Sequence, residues 1–333
     1  MRLASSQDDH IGPRPVSLTE LPVIDFEPFH EGDDATRNRI AAEIADACEE
    51  IGFFTIKGHR VPQALREGIF AQSARFFSLP VEKRAEVAAT EDWYRGWLGT
   101  QPGEKLARNS RLFEHFRMQC DLPADDPDVM AGSFFHKPNR WPNDLDGFAE
   151  TCNAYFVAME ELSGKLLHAF ARGIGLPEDR LDGMFDKPVS QLSLMYNPPL
   201  PAEVSREVTN MVPHTDDTPF TILAQDKVGG LEVKRRDGEW ILVPPDSETL
   251  TINVGDMMMW WSNGRYLSNA HRVRNISGNE RYSIPFFLNP SLDVIVSPLP
   301  ELVERDGRAR YEPVSVRQHL SRFYASFKQQ HDE

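Results

Sequence analysis

His214 and Asp216 lie two residues apart in the stretch Val212-Pro213-His214-Thr215-Asp216. On a strand, side chains two apart point to one face. An imidazole and a carboxylate can therefore converge on a single point. Of the ten histidines, only His214 has an aspartate two positions on. The pair needs a third ligand from elsewhere. His271 lies 55 residues beyond Asp216, after several strand-like segments that could return the chain to the same face. Two imidazoles and one carboxylate on one side of a metal leave three coordination positions open, the facial triad of non-haem Fe(II) sites. His-x-Asp alone is a weak signal, and on that signal alone a buried histidine bonded to a structural aspartate is the better reading.

A second group of residues suits an anion. Arg281 and Ser283 share a face of the predicted strand Arg281-Tyr282-Ser283-Ile284-Pro285-Phe286-Phe287. A guanidinium presents a planar fork to a carboxylate, and a serine hydroxyl adds a further hydrogen bond. Taken alone, the two read as a surface arginine beside a structural serine. Phe287 falls on the same face by even spacing, as a substrate-pocket wall or a core residue. Arg95, in the loop Tyr94-Arg95-Gly96-Trp97, could reach an acidic substrate group or lie on the surface. His115 and His136 have no partners at metal spacing and read as structural, as does His168.

The elements that must carry these residues change character along the chain. Residues 1–20 read as a flexible lead, and Leu21–Phe26 as a first strand. Asp33 and Asp34 can cap a helix with Ile40, Ile44, Cys48 and Ile51 on one face, ended by Gly52. Phe53–Ile56 follows as a strand. Helices are predicted over 62–77 and 80–89, and a long one over 145–174 with Phe148, Cys152, Tyr155, Met159, Leu162, Leu166 and Phe170 as a buried stripe. Strands dominate from about residue 190: 191–197, 220–225, 231–236, 240–243, 250–254, 256–261, 270–274, 282–288 and 294–296. A last helix is predicted over 314–327. Short strands with Gly, Pro and Asp punctuation indicate a sandwich or barrel. The long helix needs a sheet to cover its stripe, so the two halves are expected to form one folded unit.

Composition narrows the function. The 333 residues carry a net charge of −15, which disfavours nucleic acid as a partner because binding it requires neutralised phosphates. It equally disfavours an anionic membrane. Cys48, Cys120 and Cys152 are scattered, form no Cys-x-x-Cys and read as buried thiols. Met1–Pro15 has no apolar run, and no stretch approaches the roughly 20 apolar residues that span a bilayer. The expected location is the cytoplasm.

From Leu21 to about Pro300 the chain resembles the Fe(II)/2-oxoglutarate-dependent dioxygenases of the isopenicillin N synthase-like group. The resemblance rests on His214-Thr215-Asp216, Val228-Gly229-Gly230-Leu231-Glu232-Val233, Ile252-Asn253-Val254-Gly255-Asp256, Asn263-Gly264-Arg265-Tyr266, His271-Arg272-Val273 and Arg281-x-Ser283, in the group's order and spacing. Ala47–Phe54 is similar to its N-terminal signature, and His59 occupies the place of a histidine that is not a ligand there. The resemblance implies a mixed α and β fold, with a double-stranded β-helix (jelly-roll) core at 191–300, a helical and mixed region at 21–190 packed on it, and a C-terminal helix region at 301–333. It implies Fe(II) on His214, Asp216 and His271, with Arg281 and Ser283 on the distal carboxylate of 2-oxoglutarate. Tyr196 is expected to touch the co-substrate, although Met195-Tyr196-Asn197-Pro198-Pro199 departs from the plant pattern and Asn197 could face the iron instead. The implied reaction consumes dioxygen and 2-oxoglutarate, releases succinate and carbon dioxide, and oxidises a small molecule, most often by hydroxylation. Isopenicillin N synthase carries a similar Arg-x-Ser strand without using 2-oxoglutarate, so an oxidase of that kind is the alternative. A non-catalytic binder on a jelly-roll scaffold is a further one.

Overall fold

The computed structural model describes residues 20–99, 113–199, 209–275 and 277–329. The expected flexible lead at 1–20 lies, apart from Glu20, outside the described residues, as do 330–333 of the expected C-terminal region. In the first half the elements are β1 (Val23–Asp25), α1 (Glu27–Glu31), α2 (Asp34–Glu50), β2 (Phe53–Lys57), α3 (Gln63–Phe77), α4 (Val81–Ala85), β3 (Gly96–Leu98), β4 (Glu114–Gln119), α5 (Pro127–Met130) and α6 (Phe148–Gly173). The second half runs through β5 (Gln191–Asn197), β6 (Met211–His214), β7 (Phe220–Gln225), β8 (Leu231–Lys234), β9 (Trp240–Leu242) and β10 (Leu250–Val254). It then continues with α7 (Asp256–Trp261), β11 (His271–Val273), β12 (Arg281–Phe287), β13 (Ile295–Val296), α8 (Pro300–Asp306), β14 (Val314–Ser315) and α9 (Val316–Gln329).

Local chemistry explains the helix ends. Asp33 caps α2 by accepting from Thr36 N–H at 2.9 Å, satisfying a donor that the first turn leaves open. Gly52 then reverses the chain at φ +73°, with no room for a Cβ against the Leu267 carbonyl. The stripe of α6 is buried as its spacing predicts. Phe170 meets Phe220 at 5.1 Å and Phe156 meets Phe286 at 5.1 Å. Removing the Phe170 ring would cost about 3–5 kcal/mol, since the cavity could not collapse fully.

The strands form a major sheet in the order β1-β2-β10-β7-β12-β5-β4-β3 and a minor sheet β6-β11-β8-β9. The fold is the jelly roll expected, with helices in the N-terminal part. The major sheet draws strands from both halves of the sequence, and one hydrophobic core runs through both. Its outer face carries Phe116, Leu192, Leu194, Ile222, Ile252, Ile284 and Phe286 into the core shared with α2, α3 and α6. Its inner face is polar. Asn253 pairs with Thr221, Thr221 with Phe287, Phe287 with Gln191, and Gln191 with Gln119, giving one row across five strands.

Two expectations fail. Residues 256–261 form α7 rather than a strand. This run, Asp-Met-Met-Met-Trp-Trp, is apolar on nearly every side, so periodicity could not distinguish helix from strand. The turn is set by Asp256 N–H donating to the Asp216 carbonyl at 2.8 Å. The loop predicted at 94–97 becomes strand at Gly96, which pairs with β4. The sequence did not show β4 as a strand because His115, Arg117 and Gln119 turn inward, toward a polar interior.

Among the described residues, no helix is long and apolar enough to cross a membrane.

Candidate active site

β6 ends on His214, and β11 begins on His271, its registered partner. Asp216 lies just past the end of β6, so the expected single strand carrying both residues is shorter than predicted. Convergence is achieved by hydrogen bonds instead. Thr221 Oγ1 and Asn253 Nδ2 donate to Asp216 Oδ2 at 2.6 and 2.7 Å. The other oxygen, Oδ1, lies 3.7 Å from His214 Nε2 and 3.7 Å from His271 Nε2. One ligand atom from each of the three residues lies within 4.8 Å of the other two. Asp216 therefore bridges the two sheets.

The tautomers follow from the neighbours. His214 Nδ1 is 2.9 Å from the Val212 carbonyl, and His271 Nδ1 is 3.3 Å from that of Asn269. A carbonyl only accepts, so each Nδ1 carries the proton and donates. That leaves an Nε2 lone pair facing Asp216 on both rings, the arrangement a metal requires. Burial lowers the basicity of His271, keeping its ring neutral. Burial pushes the Asp216 carboxyl upward, but the positive charge that the flanking imidazoles carry when protonated and the bonds from Thr221 and Asn253 outweigh this and hold it below the usual carboxylate range. A donor set of two imidazole nitrogens and one carboxylate oxygen fits Fe(II).

Arg281 is 2% exposed. Its Nε donates to the Gly229 carbonyl, its Nη1 to Asn197 Oδ1 at 3.0 Å and Ser283 Oγ at 2.9 Å, and its Nη2 to Gln225 Oε1 at 3.3 Å. Gly229 and Gly230 both adopt positive φ, +72° and +102°, a turn that aims the Gly229 carbonyl at the guanidinium. Every direct partner is uncharged, and desolvation pushes Arg281 down to about 10. Asp226 is close enough for its charge to be felt, yet its carboxylate accepts from the Val228 and Tyr282 N–H groups. A buried cation surrounded by neutral acceptors is costly unless an anion joins it. These residues fit the carboxylate of 2-oxoglutarate.

Tyr196 is directed away from Arg281. It pairs with Tyr282, stacks on Phe77 at 5.2 Å and bonds Glu280 at 3.2 Å. Strand alternation puts Asn197, the registered partner of Arg281, on the inner face instead, which corrects the expectation for Tyr196. Phe287 is half-buried in the row beside Thr221. Arg95 is buried rather than on the surface, donating to Gln119 Oε1 at 3.1 Å and to the Phe135 carbonyl at 2.9 Å. His59 accepts from Val61 N–H, and His136 bonds Ser133. All three cysteines are free thiols.

Sequence reasoning missed Thr221, Asn253 and Gln225. Asn253 stood inside a quoted motif without a role. Thr221 was visible as a polar residue within the apolar run Phe220–Leu223.

Residues 188–290 match the model of the 2OG-Fe(II) oxygenase superfamily, and 21–144 match that of the non-haem dioxygenase in morphine synthesis N-terminal family. The "2-oxoglutarate-Fe(II) type oxidoreductase hxnY" of Emericella nidulans is 33% identical, over 90% of this chain and 87% of its own length. The "Clavatol oxidase claD" of Penicillium crustosum is 33% identical, over 92% and 96%. Among solved structures, a full-length Neurospora crassa protein in complex with alpha-KG aligns at a TM-score of 0.82 with 29% identity, over 92% of this chain and 96% of that one. The same Neurospora crassa protein with alpha-KG and thymine aligns at 0.81 with 29% identity, over 92% and 97%.

Proposed function

Since the chain belongs to the Fe(II)/2-oxoglutarate-dependent dioxygenases of the isopenicillin N synthase-like superfamily, we propose that His214, Asp216 and His271 hold its iron, that Arg281, Ser283 and Asn197 anchor its co-substrate, and that it hydroxylates a small molecule. Bound there, Fe(II) with 2-oxoglutarate supplies the oxidising chemistry, coupling reduction of dioxygen and release of succinate and carbon dioxide to oxidation of the substrate.

The chain's own residues do the positioning. Thr221 and Asn253 fix one oxygen of Asp216 so that the other stays aimed at the two imidazoles. The Val212 and Asn269 carbonyls hold both rings in the tautomer that offers Nε2. Arg281 and Ser283 bind the distal carboxylate of 2-oxoglutarate, and the carbonyls and amides around Arg281 fix the plane of its fork. Phe287, beside Thr221, excludes water on the substrate side. Residues 21–190 contribute strands to the sheet on which 191–300 builds the site, and 301–333 supplies α9, which reaches Asp217 through His319. A small-molecule substrate is supported by the Neurospora crassa protein, whose solved complex contains thymine.

The observation that carries this reading is the convergence of three ligand atoms within 4.8 Å on a sheet whose same face buries Arg281. The oxidase alternative without 2-oxoglutarate gives way to relatives named for 2-oxoglutarate that cover most of the chain. The test is an anaerobic titration of the Fe(II)-loaded protein with 2-oxoglutarate. The visible charge-transfer band of a 2-oxo acid on iron should appear in the wild type and be absent in Asp216→Ala. A wild type that binds iron without giving the band would sink the co-substrate assignment. One that binds no iron would sink the triad.

A further inference from the structure

We infer that the protein has a second ligand site, on the opposite face of the major sheet from the iron ligands, and that it takes a small apolar molecule ending in a protonated amine, received by Glu160. β4 and β12 end where β5 begins, and there Gln119 and Phe287 both register with Gln191. Gln119 and Phe287 face inward, so Cys120 and Leu288, one residue further on, turn outward. Between this end of the sheet and α6 lies a cavity of about 390 Å³. Small-molecule sites typically span about 300–1,000 Å³. Leu122, Leu167, Phe185 and Leu288 give the cavity apolar walls. Gly164 lies on its α6 wall, and a Cβ added there would meet nothing within 4 Å. Glycine in a helix interior sacrifices stability relative to alanine, and here the missing side chain leaves the cavity open.

The polar groups of the wall select the ligand's charge. Glu160 lines the cavity, and among the described residues its carboxylate has no hydrogen-bond or ion-pair partner. Burial accordingly raises it to about 7. The neighbouring donors are committed elsewhere. Ser163 Oγ donates to the Met159 carbonyl at 2.7 Å, and the Cys120 thiol lies 3.8 Å from the Asp121 carbonyl. Lys187 also lines the cavity, but its ammonium is held by Asp126 at 2.6 Å and by Asp128. Asp186 adds a second carboxylate to the wall. A cavity with an uncompensated carboxylate, in a protein of net charge −15, is complementary to a cation. An ammonium would supply the donor and the charge that Glu160 lacks, while the apolar walls bury the rest of the molecule.

The experiment is calorimetry on the anaerobic Fe(II)·2-oxoglutarate protein at pH 8. Benzylamine, 2-phenylethylamine and cyclohexylmethylamine are each compared with the alcohol of the same skeleton. At least one amine should bind more tightly than its alcohol by about tenfold to a hundredfold, as expected for a charge-assisted hydrogen bond. Glu160→Gln should bring that ratio close to one. Gly164→Leu, which fills the cavity, should weaken amine and alcohol alike by at least about tenfold without lowering Tm. Asp216→Ala should leave amine binding intact, because the site lies on the other face of the sheet. The proposal is overturned if no amine binds at millimolar concentration, if alcohols bind as well as amines, or if the ratio survives Glu160→Gln. It is equally overturned if a folded Gly164→Leu binds as the wild type does, or if Asp216→Ala abolishes binding, which would put the amine at the iron. The wild-type comparison of amine with alcohol decides even if a variant does not fold.

Discussion

Arg281 and Arg95 are both buried guanidiniums, and desolvation pushes both down to about 10. They differ in their partners. Arg95 has the Asp121 carboxylate at 3.5 Å as well as two carbonyls and Gln119. Among the described residues, Arg281 is held by a backbone carbonyl, two amide side chains and a serine. The comparison separates two uses of a buried cation. Arg95 is neutralised from within and ties the Gln119–Phe135 wall together. Arg281 is oriented by neutral groups and left electrostatically incomplete, which is what a site for an anionic co-substrate requires.

The largest expected effect tests the incomplete side. Arg281→Ala should raise the 2-oxoglutarate concentration for half-saturation by roughly 30- to 1,000-fold, because losing one partner of a buried charge pair costs about 2–4 kcal/mol. Succinate release against 2-oxoglutarate measures it. A shift below threefold would erase the distinction between the two arginines.

Arg95→Met should move the opposite quantities. Chemical denaturation should show a loss of about 2–4 kcal/mol, since Asp121 and two carbonyls lose their donor, while the 2-oxoglutarate titration of the folded fraction stays near wild type. Equal damage to both would merge the two roles.

Thr221→Val should weaken Fe(II) affinity by about 10- to 100-fold, the usual effect of removing a group that orients a ligand. Competition with a chelator reads it. Unchanged affinity would mean that Asn253 alone holds Asp216.

Asn197→Ala should raise the 2-oxoglutarate requirement by about fivefold, about 1 kcal/mol for losing one hydrogen bond that orients Arg281. Tyr196→Phe should leave it unchanged. The reverse result would return the co-substrate contact to Tyr196.

The smallest effect lies on the outer side of the sheet. Burial raises the Glu160 carboxyl to about 7. Its folded value lies above its unfolded one, so the carboxyl favours folding at low pH, and that contribution is lost as pH rises through about 7. Glu160→Gln should therefore raise Tm at pH 8 more than at pH 5. An equal shift at both would remove Glu160 as the cause.

Much of this was legible in the chain. The α6 stripe, the α2 cap and most of the strands followed from period and punctuation, because each reports a local preference or a single buried face. Where nearly every side chain is apolar, as in α7, or where polar residues turn inward, as in β4, period loses its meaning. The ligands were legible as residue types at a spacing. The partners that make them competent were not: Thr221 on β7 and Asn253 on β10 reach Asp216, and Gln225, at the other end of β7, reaches Arg281.

The sequence by itself determined the chemistry available: two histidines, an aspartate and an arginine-serine pair, in an order and at spacings shared with a dioxygenase family. Only the tertiary structure decided which oxygen of Asp216 is free, which nitrogen of each imidazole is bare, and that Asn197 rather than Tyr196 faces Arg281. Those choices depend on register between strands far apart in sequence, and a register shift of one residue turns a side chain to the opposite face.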